Sequence, residues 1–161
     1  MTTIVFSRPH GKIVADSRNT DSAGAVFKVR KIERLDNGRY FLGAGHLYTI
    51  GLARDWAESD FSEDERPDFD VLYGDQGEDF AFSCLVISED GRIAVLIDDE
   101  MQPQAVQDDF LAVGSGAAYA IGALEAGADP EEAVEIAISR DGNSGGPIQV
   151  EVIGPRLQAV K

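Results

Sequence analysis

Phe110-Leu111-Ala112-Val113-Gly114-Ser115-Gly116-Ala117-Ala118-Tyr119-Ala120 changes its pattern midway. Asp109 to Val113 reads as a short strand, Gly114-Ser115-Gly116 as a break, and Ala117 to Ala126 as a helix of small apolar residues. Gly127 stops that helix. Asp129 then fits an N-cap, Pro130 the first helical position, and Glu131 and Glu132 the positive end of a helix dipole, so a second helix runs over Glu131–Ser139. Pro147 to Ile153 is a clear strand, with a further extended stretch over Leu157–Val160.

Upstream the chain is strand-rich. Thr2 to Arg8 is rich in β-formers and ends in the turn signal Pro9-His10-Gly11, after which Lys12 to Asp16 resumes an extended pattern. Ala25 to Leu35 alternates Val26, Val29 and Ile32 with Lys and Arg, as a half-buried strand does. Asp36-Asn37-Gly38 reads as a tight hairpin turn in which Asn-Gly supplies positive φ, and Arg39 to Ala44 returns as a strand. His46 to Glu58 reads as a helix with Leu47, Ile50, Leu52 and Trp56 on one side. Ser59 to Asp79 is an acidic connection, with Asp60, Glu63, Asp64, Glu65, Asp68, Asp70, Asp75, Glu78 and Asp79 against Arg66, and it lacks the Asp-x-Asp-x-Asp-Gly register of a calcium loop. Phe80 to Ile87 and Arg92 to Asp98 flank a second hairpin at Ser88-Glu89-Asp90-Gly91. Strands, one helix, strands, two helices, strands: this order predicts an α+β fold with helices packed on antiparallel sheets.

The 161 residues suit one domain over 1–161, and 43% hydrophobic with 27% charged residues is an ordinary globular composition. Lys and Arg number 14 against 29 Asp and Glu, a net charge of −15. Such a field repels phosphate backbones and anionic lipid, which argues against nucleic acid and membrane surfaces as partners and favours cationic or unfolded ones. The chain has no apolar run of about 18 residues, the length that spans a bilayer. Its start shows no basic segment followed by an apolar one, so no secretory signal is expected. A single Cys84 excludes an intrachain disulfide, and His10 and His46 are too few for a His-rich metal site. A reducing cytoplasm is the expected compartment.

Thr2 is the first chemical candidate. A hydroxyl needs a base to act as a nucleophile near neutral pH, and a threonine at a free N-terminus carries one in its own α-amine, with a pKa of about 7.7–8.0. Met1 is readily trimmed when the next residue is small, as Thr2 is. Met-Thr starts are common, so this signal is weak alone.

Other residues give it company. Thr2-Thr3-Ile4-Val5, then Gly11, then Asp16-Ser17-Arg18-Asn19-Thr20, resembles the start of a proteasome β subunit. Lys31, followed by Asn37-Gly38 and Gly43-Ala44-Gly45, is similar to that family's lysine strand and oxyanion glycine. Phe110 to Ala120 is similar to the strand and helix start of the proteasome β subunit and of the HslV-type peptidase, and Arg140-Asp141-Gly142-Asn143-Ser144-Gly145-Gly146 resembles the later Asp/Ser loop. The matches are colinear from Thr2 to about Val152. The resemblance implies an N-terminal-nucleophile (Ntn) threonine hydrolase with a four-layer αββα sandwich, one helix layer reduced. It implies Thr2 as nucleophile and its amine as base, and Lys31 as a cation that lowers the amine's or hydroxyl's pKa and is held charged by Asp16. Ser115, Asp141 and Ser144 would orient the amine, and the Gly45 N–H would hold the oxyanion. It implies no metal or organic cofactor, a polypeptide substrate, a homo-oligomer such as a ring, and an ATP-driven unfoldase partner.

Plainer readings stand beside these. Asp16 and Lys31 form a surface ion pair, Ser115 caps a helix, and Asp141 and Ser144 shape a turn. A non-catalytic scaffold subunit that kept the sandwich is the rival reading of the whole chain. Gly142-Asn143-Ser144-Gly145-Gly146-Pro147 also resembles the nucleophile loop of trypsin-like serine proteases, with Gly43-Ala44-Gly45-His46 and Asp90 or Asp98 in the matching chain order. Against that, only Gly145 to Lys161 follows Ser144, and two helical patterns stand where a second barrel needs strands. The sequence departs from the proteasome pattern in two places. The acidic Ser59–Asp79 segment replaces a second long helix, and His46 stands where a small glycine is usual.

Overall fold

The computed structural model describes residues 1–68, 81–98 and 102–153. In chain order its strands are β1 (Ile4–Ser7), β2 (Lys12–Ala15), β3 (Arg18–Thr20), β4 (Val26–Lys28), β5 (Ile32–Arg34) and β6 (Tyr40–Gly45). Helix α1 (Leu47–Glu58) and a 3-10 turn (Glu63–Glu65) follow, then β7 (Phe82–Ile87), β8 (Ala94–Asp98), β9 (Gln104–Val106) and β10 (Phe110–Val113). Helices α2 (Ala117–Glu125) and α3 (Pro130–Arg140) precede the last described strand, β11 (Gln149–Val152).

The strands make two main antiparallel sheets. The first has the order β10-β1-β2-β11, with Ile4 opposite both Val113 and Ala15. The second runs β5-β6-β7-β8-β9 in chain order. Successive side chains on a strand face opposite ways, so each sheet feeds two cores. Ile4, Phe6 and Ile13 of the first sheet meet Leu42, Leu85 and Ile87 of the second, all essentially without solvent contact. Val5 and Val14, on the first sheet's other face, pack against Ala120 and Leu124 of α2 and Ala133, Val134 and Ala137 of α3. Phe41, Cys84, Val86 and Ile97, on the second sheet's other face, pack against Ala53, Trp56 and Ala57 of α1. Each large aliphatic or aromatic side chain buried this way contributes about 1.5–3 kcal/mol.

The expected mixed α+β architecture is present, and several details differ from expectation. Ala25–Leu35 is two strands. Val26, Phe27 and Lys28 are exposed and pair with β3 as a separate ribbon, and only Ile32–Arg34 joins the second sheet. Between them Val29 N–H donates to Ser17 O (2.8 Å) and Gln149 Nε2 donates to Val29 O (2.6 Å), which holds the crossing chain to the first sheet. In the hairpin after β5 only Gly38 takes positive φ (86°), and Leu35 N–H reaches Arg39 O while Gly38 N–H reaches Leu35 O. That is a three-residue turn over Asp36-Asn37-Gly38, the expected hairpin turn, with the positive φ supplied by Gly38 and not by Asn37. Leu47 is 72% exposed and not on the packed face of α1. Strand β9 follows no pattern read from the sequence. The acidic connection is described only as far as Asp68, and Leu157–Val160 lies outside the described residues. No helix among the described residues is long and apolar enough to cross a membrane.

Candidate active site

β1 begins at one end of the space between the two sheets, and its alternation decides which groups enter that space. Ile4 and Phe6 face the second sheet, so Thr2 does too, while Thr3 and Val5 face the helices. Ser115 extends the inward-facing row of β10, which includes Val113. Thr2 and Gly114 come very close here: a Cβ at Gly114 would lie 2.0 Å from Thr2 O, and Gly114 has φ 104°, so glycine is required.

Lys31 lies between the two sheets with a side chain only 7% exposed. Its Nζ donates to Thr2 Oγ1 (2.9 Å), to Asp16 Oδ1 (2.8 Å) and to Met1 O (3.1 Å). An ammonium has three donors, and all three have acceptors. Burial holds Lys31 below its ordinary pKa of 10.5, with the Asp16 carboxylate pulling the other way. Asp16 has no solvent exposure. Its Oδ1 also accepts Thr3 N–H (2.9 Å), and its Oδ2 accepts Gly145 N–H (2.9 Å) and Arg18 N–H (3.3 Å). This pair is therefore no surface ion pair.

A second chain of hydrogen bonds starts at the Thr2 nitrogen, which is an amide here because Met1 is attached. Its N–H donates to Ser115 Oγ (3.3 Å), and Ser115 Oγ donates to Asp141 Oδ2 (2.6 Å). Ser115 has one proton, and the short bond to Asp141 takes it. Ser144 Oγ donates to the same Oδ2 (2.7 Å) and pairs with Thr3 Oγ1 (2.7 Å). Desolvation pushes the Asp141 carboxyl up, but bonds from Ser115, Ser144 and the Asn143 N–H outweigh it and hold it below the usual carboxylate range. Ser115 makes no cap for α2, whose N-cap is Gly116.

Gly45 ends β6. His46 N–H donates to Ala81 O, so position 46 is a hydrogen-bonded partner of β7 and Gly45, opposite Phe82, is not. In an antiparallel ladder the Gly45 N–H then points away from β7. Gly45 has φ 120° and a Cβ there would lie 2.3 Å from Ala81 O. Thr2, Gly45 and Ser115 line one cavity of about 590 Å³.

The structure thus gathers Thr2, Asp16, Lys31, Ser115, Asp141 and Ser144 into one bonded network, with Gly45 lining the same cavity as Thr2. Thr3 belongs to that network and sequence reading missed it. The signal was a hydroxyl at a helix-facing position of β1 otherwise filled by valine, where a buried oxygen needs a partner. The serine-protease arrangement is overturned. Ser144 is 2% exposed and held by Asp141 and Thr3, Asp90 bonds Ser88 Oγ and Arg92 N–H within its own hairpin, and α2 and α3 occupy the region a second barrel would need. Among the described residues no cluster of His, Cys, Asp or Glu is arranged to hold a metal ion.

No family model matches the chain. No curated protein matches it either. Among solved structures, eukaryotic HslV from Trypanosoma brucei matches with a TM-score of 0.67, over 93% of this chain and 98% of that one, at 23% sequence identity. The fold is therefore HslV-like.

Proposed function

We propose that the chain is a threonine-type N-terminal-nucleophile peptidase, a single four-layer αββα domain that acts once Met1 is removed. The observation that carries this reading is Lys31 Nζ, buried and 2.9 Å from Thr2 Oγ1 while held by Asp16 at 2.8 Å. A buried cation beside a hydroxyl favours its alkoxide, and beside an amine it disfavours the ammonium.

The amide nitrogen of Met1–Thr2 has no basic lone pair, so the base exists only in the trimmed chain. There the α-amine takes the proton of Thr2 Oγ1 as that oxygen attacks a substrate carbonyl. The new oxyanion is held by Gly45 N–H, a type of contact worth about 10²–10³ in rate. The ammonium, steadied through Ser115 by Asp141, returns the proton to the leaving amine. An ester on Thr2 remains, and water activated by the same amine hydrolyses it. Removal of Met1 also frees the Lys31 donor that now faces Met1 O. No cofactor is required for this chemistry. By the same resemblance we take the enzyme to be a cytoplasmic homo-oligomer, such as a ring, that cleaves polypeptides delivered by an ATP-driven unfoldase.

Intact-mass measurement and a peptide β-lactone test the reading together. The expected result is a chain lacking Met1 that gains the acyl mass on Thr2, with peptide hydrolysis abolished in Thr2→Ala and retained in Thr2→Ser. A chain that keeps Met1 throughout and neither acylates nor hydrolyses is the scaffold subunit instead. Hydrolysis surviving in Thr2→Ala overturns the nucleophile.

A further inference from the structure

We propose that Gln149 is a positioning residue for Lys31: its side-chain amide stands in for a missing strand and fixes the crossing chain that aims the ammonium at Thr2 Oγ1; this rests on the peptidase reading above. Lys31 lies in the stretch 29–31 between β4 and β5, which belongs to no strand, so no ladder of the sheets fixes its backbone. Its side chain is a flexible four-carbon stem, and the place of the ammonium therefore depends on where the backbone starts it.

Gln149 opens β11, the edge strand of the first sheet, opposite Ala15. Ala15 faces the space between the sheets, and a cross-strand partner faces the same way, so the Gln149 side chain enters that space beside the crossing chain. There its Oε1 accepts Lys31 N–H (3.0 Å) and its Nε2 donates to Val29 O (2.6 Å). An N–H and the C=O two residues before it are the two groups that one residue of a parallel strand would engage. Nε2 also donates to Asp16 O (3.4 Å), so one amide ties the backbone of Lys31 to that of the residue that holds its charge. Only this orientation of the amide gives all three backbone groups a partner. Val29 N–H on Ser17 O (2.8 Å) anchors the chain before Lys31, and Gln149 is the anchor at Lys31 itself. A cavity of about 420 Å³ lies against Val29, Arg30 and Gln149, so the crossing chain has room to shift once the amide is lost.

One arm of the test needs no hydrolysis. Gln149→Met keeps the length and loses the hydrogen bonds, and Gln149→Asn keeps the amide but is too short to span Val29 and Lys31. In both, hydrogen exchange of the Lys31 amide is expected to speed up about tenfold or more, the effect of losing its acceptor, while amides of β1 and α3 keep their wild-type rates. The Lys31 ammonium, titrated by NMR on lysine-labelled protein, is expected to move up toward 10.5 as it loses burial. Either reading unchanged in both variants overturns the proposal. In the kinetic arm both variants are expected to lose about 10²-fold in kcat, the range for a misplacement of about 1 Å, with KM within about twofold. The rising limb of their pH profile is expected at higher pH than in wild type, because a displaced cation no longer disfavours the ammonium of Thr2. Asp129→Ala, which weakens the other end of α3, is the control and is expected to leave that limb in place. Variants that keep full kcat, or that lose it with the limb unmoved, give Gln149 a structural role alone and overturn the positioning. A wild-type chain without turnover counts against the peptidase reading, and exchange and titration at Lys31 then decide the proposal by themselves.

Discussion

Lys31 gives three donors to three acceptors, and Asp16 receives the ammonium and three backbone amides with no access to water. Removing one partner of such a buried pair costs about 3–5 kcal/mol because a charge is left without compensation. Lys31→Met is expected near the lower end of that range, since the amides of Thr3, Arg18 and Gly145 still face Asp16, and denaturant unfolding measures it. The same variant is expected to lose peptide hydrolysis to background. Lys31→Arg keeps the charge but not a compact ammonium able to face Thr2 Oγ1 and Asp16 Oδ1 together, so it is expected to fold and stay inactive. The pH profile follows from the same two groups. Activity of the trimmed enzyme rises as the α-amine loses its proton, at or below about 7.7–8.0 because Lys31 disfavours the ammonium. It falls again on the alkaline side as Lys31 deprotonates below 10.5, where burial has moved it. Between that lowered value and 10.5 the folded chain holds fewer protons than the unfolded one, so stability rises with pH across the window. Asp141 gives the acid side: its folded value is depressed, so its stabilisation is present above 3.8 and lost as pH falls through the folded value. A kcat/KM profile with a single rising limb and no alkaline decline would remove Lys31 from the reaction.

At the scale of elements, local chemistry decides what a sequence shows. Asp129-Pro130-Glu131-Glu132 was legible as a helix start because all its signals are local. Asp129 Oδ1 accepts Glu132 N–H (2.9 Å), and Glu132 Oε2 accepts Asp129 N–H (3.2 Å). Asp129→Ala is expected to cost about 1 kcal/mol, lowering the melting temperature by about 2–4 °C, with kcat/KM unchanged because Asp129 caps the end of α3 opposite to Asp141. Phe110 to Ala120 was legible for the same reason, as a strand and a helix joined by glycines that let Thr2 approach. The split of Ala25–Leu35 was not. Alternation says that one face of a strand is apolar, but not which strand it pairs with, and the ribbon partner β3 is three residues of Arg18-Asn19-Thr20 with no apolar pattern. The catalytic candidates were legible only as a set, because Asp16, Lys31, Ser115 and Asp141 each suit an ordinary cap, turn or ion pair. Thr3 escaped because its significance is positional: it is a hydroxyl on a valine face, and that fact needs the register.

The whole molecule carries −15 on 161 residues, and that single quantity acts on stability and on substrate capture in opposite directions. Like charges at this density repel in the compact state and less so in the unfolded chain. The same field draws a lysine-bearing peptide toward the chain. Salt screens both, since the Debye length falls from about 10 Å at 0.1 M to about 3 Å at 1 M. Raising sodium chloride across that range is therefore expected to raise the melting temperature while lowering kcat/KM for a lysine-bearing peptide amide by several-fold. The same peptide amide with norleucine in place of lysine is the internal control, for it has no ammonium to attract and its kcat/KM is expected to stay within about twofold, a general salt effect on the enzyme being common to both. A parallel fall for both peptides would locate the salt effect in the protein rather than in substrate attraction.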